Sequence, residues 1–412
     1  MHPILSILAV AERFPAPDFH SGYTMPQTQV APLPSALWQG IDIAALAIAL
    51  FLAAWIVLKN RSRKWVVGLT VASVLYFGFW RKGCVCPVGS IQNVAFAAGG
   101  HGYALPWVVA AFFLLPLLFA LFYGRVFCSG VCPLGAVQDL VLFKPVQVPG
   151  WIEAPLGLLA WAYLGLAVLF AAIGSDFLIC RYDPFVAFFR LSGPIHMIIL
   201  GAVVLVTSMF IGRVYCRFFC PYSVLLQLLA PFSRRQVSIT PTHCTDCRLC
   251  EKACPFGAIR YPSAKPPRNS RPLAALAALP ALIIVFASIG RLAGNAMSHL
   301  DFNVRLAEEM RQEESSGVRS TSDDTRAFRG TGQTIEQLYA SAAAIQHRFA
   351  IGTPIFGAWM GLAISGKLLS ASRRQRRKDY RADPAACLAC ARCFAWCPAE
   401  VKQAKSEGLV SV

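Results

Sequence analysis

Apolar positions along the chain gather into runs too long and continuous for the buried faces of a soluble domain. They cover about 37–58, 65–80, 104–123, 155–173, 194–211, 273–289 and 351–369. A helix needs roughly 20 apolar residues to cross a hydrocarbon core about 30 Å thick. The pattern therefore predicts a mainly α, polytopic helical membrane protein with about seven transmembrane helices. Only the 65–80 run is short for a full crossing.

The polar residues between the runs are unevenly charged. Lys59, Arg61, Arg63 and Lys64 follow the first run; Arg373, Arg374, Arg376, Arg377 and Lys378 follow the last. Lysine and arginine in short loops stay on the cytoplasmic side. Seven crossings that begin outside end inside, in agreement with both clusters. The expected order is a periplasmic N-terminal tail (1–36), a five-span membrane domain (37–233) and a cytoplasmic segment (234–271) flanked by Arg234, Arg235, Arg268 and Arg271. A sixth span (272–290), a periplasmic loop (291–349), a seventh span (350–370) and a cytoplasmic C-terminal segment (371–412) follow. The tail's apolar stretch, 3–10, lacks a basic flank and a small-residue cleavage site, so it is not expected to be a signal peptide. The 291–349 loop mixes Glu308, Glu309, Glu313, Glu314, Asp323 and Asp324 with arginines in near balance, as an exported loop should. Its middle, 315–332, reads as irregular. A loop this long is expected to contact a partner.

Composition narrows the class without changing it. Of 412 residues, 56% are hydrophobic and only 14% charged, and the mean hydropathy is +0.53. The net charge of +17 would suit a polyanion. Its concentration in loops beside apolar runs assigns it to membrane orientation instead, and no nucleic-acid partner is expected.

The cysteines carry the chemistry. Cys244-x-x-Cys247-x-x-Cys250-x-x-x-Cys254-Pro255 returns as Cys387-x-x-Cys390-x-x-Cys393-x-x-x-Cys397-Pro398. This is the bacterial ferredoxin run, in which the fourth cysteine ligates the other cluster of a two-cluster domain. Two [4Fe–4S] clusters are expected, one on Cys244, Cys247, Cys250 and Cys397, the other on Cys387, Cys390, Cys393 and Cys254. Zinc prefers two separated cysteine pairs and is the weaker reading; disulfides fit a repeated metal spacing poorly. Two apolar runs separate the motifs, so the fold class includes a split two-cluster ferredoxin domain on the cytoplasmic side. The last two spans must then be neighbours.

A second repeat lies inside the membrane part. Gly124-Arg125-Val126-Phe127-Cys128-Ser-Gly-Val-Cys132-Pro133 is echoed by Gly212-Arg213-Val214-Tyr215-Cys216-Arg-Phe-Phe-Cys220-Pro221. An imperfect copy is Arg81-Lys82-Gly83-Cys84-Val85-Cys86-Pro87. Gln138, Gln227 and Gln92 follow the three copies. Proline after the last cysteine suits the first turn of a helix, so each copy predicts span, cysteine loop, short helix. By this topology Cys128, Cys132, Cys216 and Cys220 sit at inner ends, and Cys84, Cys86 and Cys180 at outer ends. The inner four are candidates for a further iron–sulfur site by ligand softness, for a thiol redox pair, or for plain packing. The outer three lack a fourth ligand. Arg125 and Arg213 either stabilise the thiolates or anchor loops. Asp183 and Arg181 pair with each other or meet a quinone oxygen. His196 has no facing partner for haem, and there is no Cys-x-x-Cys-His.

These motifs together resemble the NosR/NapH group of membrane polyferredoxins, the NosR type most of all, through the charged loop before the last span and Asp183-Pro184-Phe185. The resemblance implies membrane-bound iron–sulfur electron transfer in a bacterial inner membrane, between the cytoplasm or quinol pool and a periplasmic redox partner, as a subunit rather than a stand-alone enzyme. NosR-type proteins carry FMN on a periplasmic domain ahead of the first span. Here only the short tail stands there, so FMN would come from a separate, flavin-bearing subunit. A further membrane iron–sulfur site or a quinone would carry electrons across. The alternative functions are assembly or maturation of a respiratory metalloenzyme, and redox sensing.

Overall fold

The long apolar runs fold as helices, the one way a single segment satisfies its backbone in lipid. The computed structural model describes residues 35–83, 86–239, 244, 246–260, 272–317, 322–372 and 380–398. Residues 1–34 of the tail, Cys84, Arg268, Arg271 and the 373–378 basic cluster lie outside them. The chain divides into two compact units, Met1–Gln39 and Gly40–Val412. The first contributes only the opening of helix α1 (Ala36–Trp55) to the described residues; all that follows concerns the second.

Among the described residues four helices are long and apolar enough to cross a membrane. They are Ala36–Asn60 (α1 and its continuation), α7 (Gly150–Ile173), α14 (Pro272–Ser298) and α17 (Ile335–Ser372). A fifth arises if α9 (Pro184–Arg190) and α10 (Ile195–Phe210), bent by 103°, make one broken span. The expected seven crossings are therefore corrected to four or five by length and composition. The reason is physical. α4 (Trp107–Tyr123) has 17 residues and α10 has 16, so they rise only about 26 and 24 Å. α2 (Arg63–Ser73), which continues to Trp80, opens on two cations. All three end where the chain turns into a cysteine loop.

The loops fold as their prolines dictate. Cys86, Cys132 and Cys220 are N-cap residues, each followed by proline in the first turn of α3 (Pro87–Ala98), α6 (Pro133–Leu140) and α12 (Pro221–Leu229). Single turns α5 (Phe127–Gly130) and α11 (Val214–Phe218) carry Cys128 and Cys216, and α8 (Leu178–Tyr182) carries Cys180.

α14 and α17 form the expected hairpin. Glycine makes it tight. A Cβ at Gly290 would strike the Thr353 carbonyl, one at Gly357 the Phe286 carbonyl, and one at Gly361 would come within 2.8 Å of Ile283 Cα. Small residues let membrane helices approach this closely.

The segment expected to be irregular is mostly helical. α15 (Phe302–Ser316) is capped by Asp301 and α16 (Asp323–Gly330) by Ser322; α15 packs on α17, and α16 on α15. Val304, Leu306, Met310, Phe328 and Leu338 form a small separate core. The 3.6-residue periodicity there is masked by charges, one of which is internal. Glu313 is buried, accepting from Arg329 Nη2 and Thr325 Oγ1, both at 2.7 Å. Replacing Glu313 with alanine strands those donors and is expected to cost about 1–3 kcal/mol. Limited proteolysis should then cut 302–330 faster with the rest intact; an unchanged cleavage rate would refute the role.

The ferredoxin segments meet. β1 (Ile259–Arg260) pairs antiparallel with β2 (Arg381–Ala382), in register Ile259 with Ala382, and α13 (Leu249–Ala253) packs on α18 (Arg392–Ala395).

Candidate functional site

The two cysteine runs adopt one backbone conformation. The residues flanking the middle cysteine have positive φ in both: Asp246 (54°) and Arg248 (56°) around Cys247, Ala389 (52°) and Ala391 (60°) around Cys390. Alanine rarely enters this region and pays for it locally. Successive turns of this kind aim backbone N–H groups at an enclosed anion, and such nests occur at iron–sulfur sites. The strain is repeated at matching positions, which is what wrapping a shared type of group requires.

Electrostatic proximity sorts the thiols. Burial raises Cys250, and Cys397, Cys244 and Cys247 add to it, while the Glu251 N–H opposes. Burial pushes Cys387 up to about 12, with Cys390 and Cys254 contributing. Cys393 is raised by burial, then by Cys390, Cys387, Cys254 and Cys250. Cys397 thus acts on Cys250 of the first run, and Cys254 on Cys387 and Cys393 of the second, with Cys250 also reaching Cys393. Cys244 and Cys247 are exposed, Cys254 and Cys390 buried.

The buried side docks on the membrane domain. Arg63 Nη1 donates to the Cys390 carbonyl at 3.0 Å, Arg125 Nη1 to Ala385 O at 2.6 Å, and Gln147 Nε2 to Glu251 O at 3.2 Å. The Lys59–Lys64 cluster and both ferredoxin segments therefore share one face. At the seam lies Asp139, which sequence reasoning missed. It meets Arg63 at 2.6 Å, Arg392 at 3.3 Å and Arg213 at 3.4 Å. Burial alone would raise its carboxyl; Arg213, Arg63 and Arg392 outweigh that and hold it below the ordinary value. The lone charged residue of a short helix, Asp139, was the available signal.

The two membrane loops interlock as the repeat suggested. Arg213, fully buried, donates to the carbonyls of Cys128 and Ser129 in the first loop; Arg125 Nη2 donates to Ser223 beyond the second, at 2.6 Å. Neither arginine is a surface anchor. Burial works against the Arg213 charge, and Asp139, Cys216, Cys390 and Cys128 sustain it above the usual value. That guanidinium stands between a ferredoxin cysteine and the loop thiols. The repeat is imperfect: Gln138 Nε2 reaches Cys216 Sγ at 3.5 Å, whereas Gln227 donates to Ser223 Oγ. Burial raises Cys132, and Cys216, Cys86 and Cys220 follow; Cys220 in turn feels Cys216, Cys128 and Cys86. Cys86, expected at an outer end, lies near enough for its charge to act on Cys132 and Cys220. Arg181 pairs with Asp176 at 2.6 Å, not with Asp183, which caps α9 instead. His196 is exposed at the start of α10.

The donors suit an iron–sulfur group. Nε of Arg125, Arg213 and Arg392 and the Tyr215 hydroxyl are buried without a partner among the described residues, leaving hydrogen bonds available to sulfur. No three cysteine, histidine or carboxylate side chains among the described residues are spaced to hold a single metal ion.

The comparisons agree. A family described as "4Fe-4S binding domain" matches 105–147 and 194–240, the two membrane loops, and a second of that description matches 237–260. The putative electron transport protein YccM of Escherichia coli is 31% identical over 41% of this chain and 52% of its own length. Protein NirI of Paracoccus denitrificans is 26% identical over 58% and 39%, and the regulatory protein NosR of Pseudomonas aeruginosa 26% over 47% and 29%. The chain thus spans about half of YccM and less of the other two. No solved structure matches. The fold and these matches define a helical membrane protein with 4Fe–4S binding domains. Within that class, the chain is similar to the NosR and NirI proteins over part of their length.

Proposed function

We propose that this protein relays single electrons through the membrane, from a donor on its ferredoxin face to a redox partner beyond the opposite face. The observation that carries the reading is that thiols of the ferredoxin segments and of the membrane loops act electrostatically on shared groups, Arg213 feeling Cys390 as well as Cys216 and Cys128. The proposed path runs from the exposed Cys244 and Cys247, through the buried Cys390, past Arg213 to Cys128 and Cys216, then to Cys132, Cys220 and Cys86. One cluster falls to Cys244, Cys247, Cys250 and Cys397, the next to Cys387, Cys390, Cys393 and Cys254, and a third to the inner four of the membrane loops.

A bound cluster supplies a one-electron carrier whose potential follows its charge, burial and hydrogen bonds. The protein supplies the setting. The β1–β2 pair and the glycine-packed hairpin fix the spacing between the two ferredoxin triplets. Burial of Cys254 and Cys390 keeps water from the inner triplet. Arg213 and Arg125 bring positive charge where negative charge accumulates, favouring the reduced state. The ferredoxin face is assigned to the cytoplasm on the positive-inside rule, since Lys59, Arg61, Arg63 and Lys64 lie on it.

Replacing Cys132 and Cys220 together with serine tests the third centre. Iron should fall by about four atoms per chain, while the two ferredoxin EPR signals persist. Unchanged iron with intact electron transfer would leave these cysteines as packing.

A further inference from the structure

A cavity of about 500 Å³ lies between α3, α4, α7, α12 and α17, and no cysteine lines it. Every lining side chain is apolar save the indole of Trp359, whose Nε1 already donates to the Trp161 carbonyl at 3.0 Å. Water would find no partner there. The cavity opens sideways: Val168 of α7 and Ile355 of α17 line it and are also 40% and 65% exposed. Both belong to helices long and apolar enough to cross a membrane, so the opening meets hydrocarbon. One end is polar. Gly352 lies in the wall, where a Cβ would come within 2.4 Å of Leu169 and 3.7 Å of Ile173. Arg348 stands one turn earlier on the same face of α17, about 6 Å along the axis, and its Nη1 donates to Ile173 O at 3.0 Å. His101, stacked on Phe96, meets the carbonyl of Ala172, another wall residue, at 2.9 Å. A carbonyl only accepts, so His101 Nε2 carries the hydrogen and Nδ1 accepts from Arg348 Nη1 at 3.3 Å.

We infer that one anionic phospholipid occupies this cavity, with an acyl chain between α7 and α17 and its phosphate on Arg348. The site stands apart from the cysteines and does not depend on electron transfer. The chemistry of the two ends selects the class of ligand. The apolar part offers packing contacts that an empty space forfeits, and in lipid such contacts are what holds apolar groups together. The other end offers a charge. Arg348 is exposed and makes no ion pair among the described residues, where its Nε and Nη2 have no partner. Two such N–H donors in a planar fork match a phosphate. His101 and the Ile173 carbonyl hold the guanidinium through Nη1, so little side-chain freedom is left to lose on binding. Asp301 reaches the same end of α7 through Ser175, but its carboxylate is also taken up by the N–H groups of Asn303 and Val304 as the cap of α15. An uncharged isoprenoid would fill the apolar part and leave the guanidinium without an anion. A zwitterionic lipid brings its own cation to compete for the phosphate. An anionic headgroup satisfies both ends.

The full-length chain, purified in mild detergent, tests this by lipid extraction and native mass spectrometry, with circular dichroism and size exclusion as measures of folding. The wild-type chain should retain phosphatidylglycerol through repeated detergent washing. Once stripped, it should rebind phosphatidylglycerol from mixed micelles in preference to phosphatidylcholine. Arg348→Ala should weaken phosphatidylglycerol binding about tenfold to a hundredfold, the worth of hydrogen bonds to a charged group, and leave phosphatidylcholine unchanged. Arg348→Lys, a point charge without the planar fork, should keep part of the preference. Val168→Trp, which fills the opening from a half-exposed position, should weaken both lipids while the chain keeps its helicity and elution volume. Equal binding of the two lipids by the wild-type chain would overturn the assignment, as would undiminished phosphatidylglycerol binding in Arg348→Ala or in Val168→Trp. So would an isoprenoid quinone, in place of phospholipid, in the tightly held fraction. Each of these results leaves the electron relay standing, since that is read from iron and EPR.

Discussion

A chain ending at Arg381 will lack both ferredoxin EPR signals, not one. The missing piece holds Cys387, Cys390, Cys393 and Cys397, and it also holds Ala382 of β2, which pairs with Ile259 of the first half. Cys397 neighbours Cys250, so the first triplet loses its fourth thiol with the second half. Cys254, left behind, is the thiol whose charge acts on Cys387 and Cys393 of the departed run. The expected loss is about eight irons per chain. Retention of one ferredoxin-type signal with about four irons would mean that Cys254 closes its own run, and the exchange of fourth ligands would be wrong. The matching point variants sharpen the test: Cys254→Ser should spare the 244–250 cluster and Cys397→Ser should spare the 387–393 cluster.

Asp139→Ala should be the most destabilising single substitution at the seam. It leaves Arg63, Arg213 and Arg392 facing one another across a largely dry interface. Removing one member of a buried ion network costs about 3–5 kcal/mol, because the partners keep their desolvation and lose their compensation. The visible result should be release of the ferredoxin segments, read as faster proteolysis around 380–398 and a lower unfolding temperature. A loss below about 1 kcal/mol, the worth of an exposed pair, would show the seam held by other contacts. The acid dependence follows from the sign of the shift. The folded carboxyl titrates below its unfolded value of about 3.9, so its contribution is complete above about pH 4 and disappears as the pH falls through the lowered folded value. Neutral and mildly acidic buffers should show no change from this group.

The sequence announced what local chemistry determines. Metal spacing located the ferredoxin runs, and cysteine followed by proline located the starts of α3, α6 and α12. Two apolar runs between the halves required a helical pair. Length was harder to judge, since a run such as 104–123 is apolar to its end whether or not the helix spans. Whether α4 crosses depends on where the loop at Cys128 must sit, and that is a tertiary fact. Asp139 was hidden because its three partners come from residues 63, 213 and 392, which no periodicity connects. Asp183 was noticed and given Arg181 as a partner; one turn of chain separates them, yet Arg181 faces Asp176 and Asp183 turns inward. In 302–330 the surface charges disguised an apolar stripe built around Met310.

The antiparallel pairing of Ile259 with Ala382 has a consequence for biosynthesis. Cys244, Cys247 and Cys250 leave the ribosome well before their neighbour Cys397, with both helices of the hairpin still to be inserted. Until insertion is finished, each ferredoxin site is a ligand short, and a cluster delivered early has nowhere to be closed. Under the proposed exchange of fourth ligands, cofactor loading follows membrane integration, and a translocation failure at either hairpin helix leaves an apo-protein in place of a half-charged one.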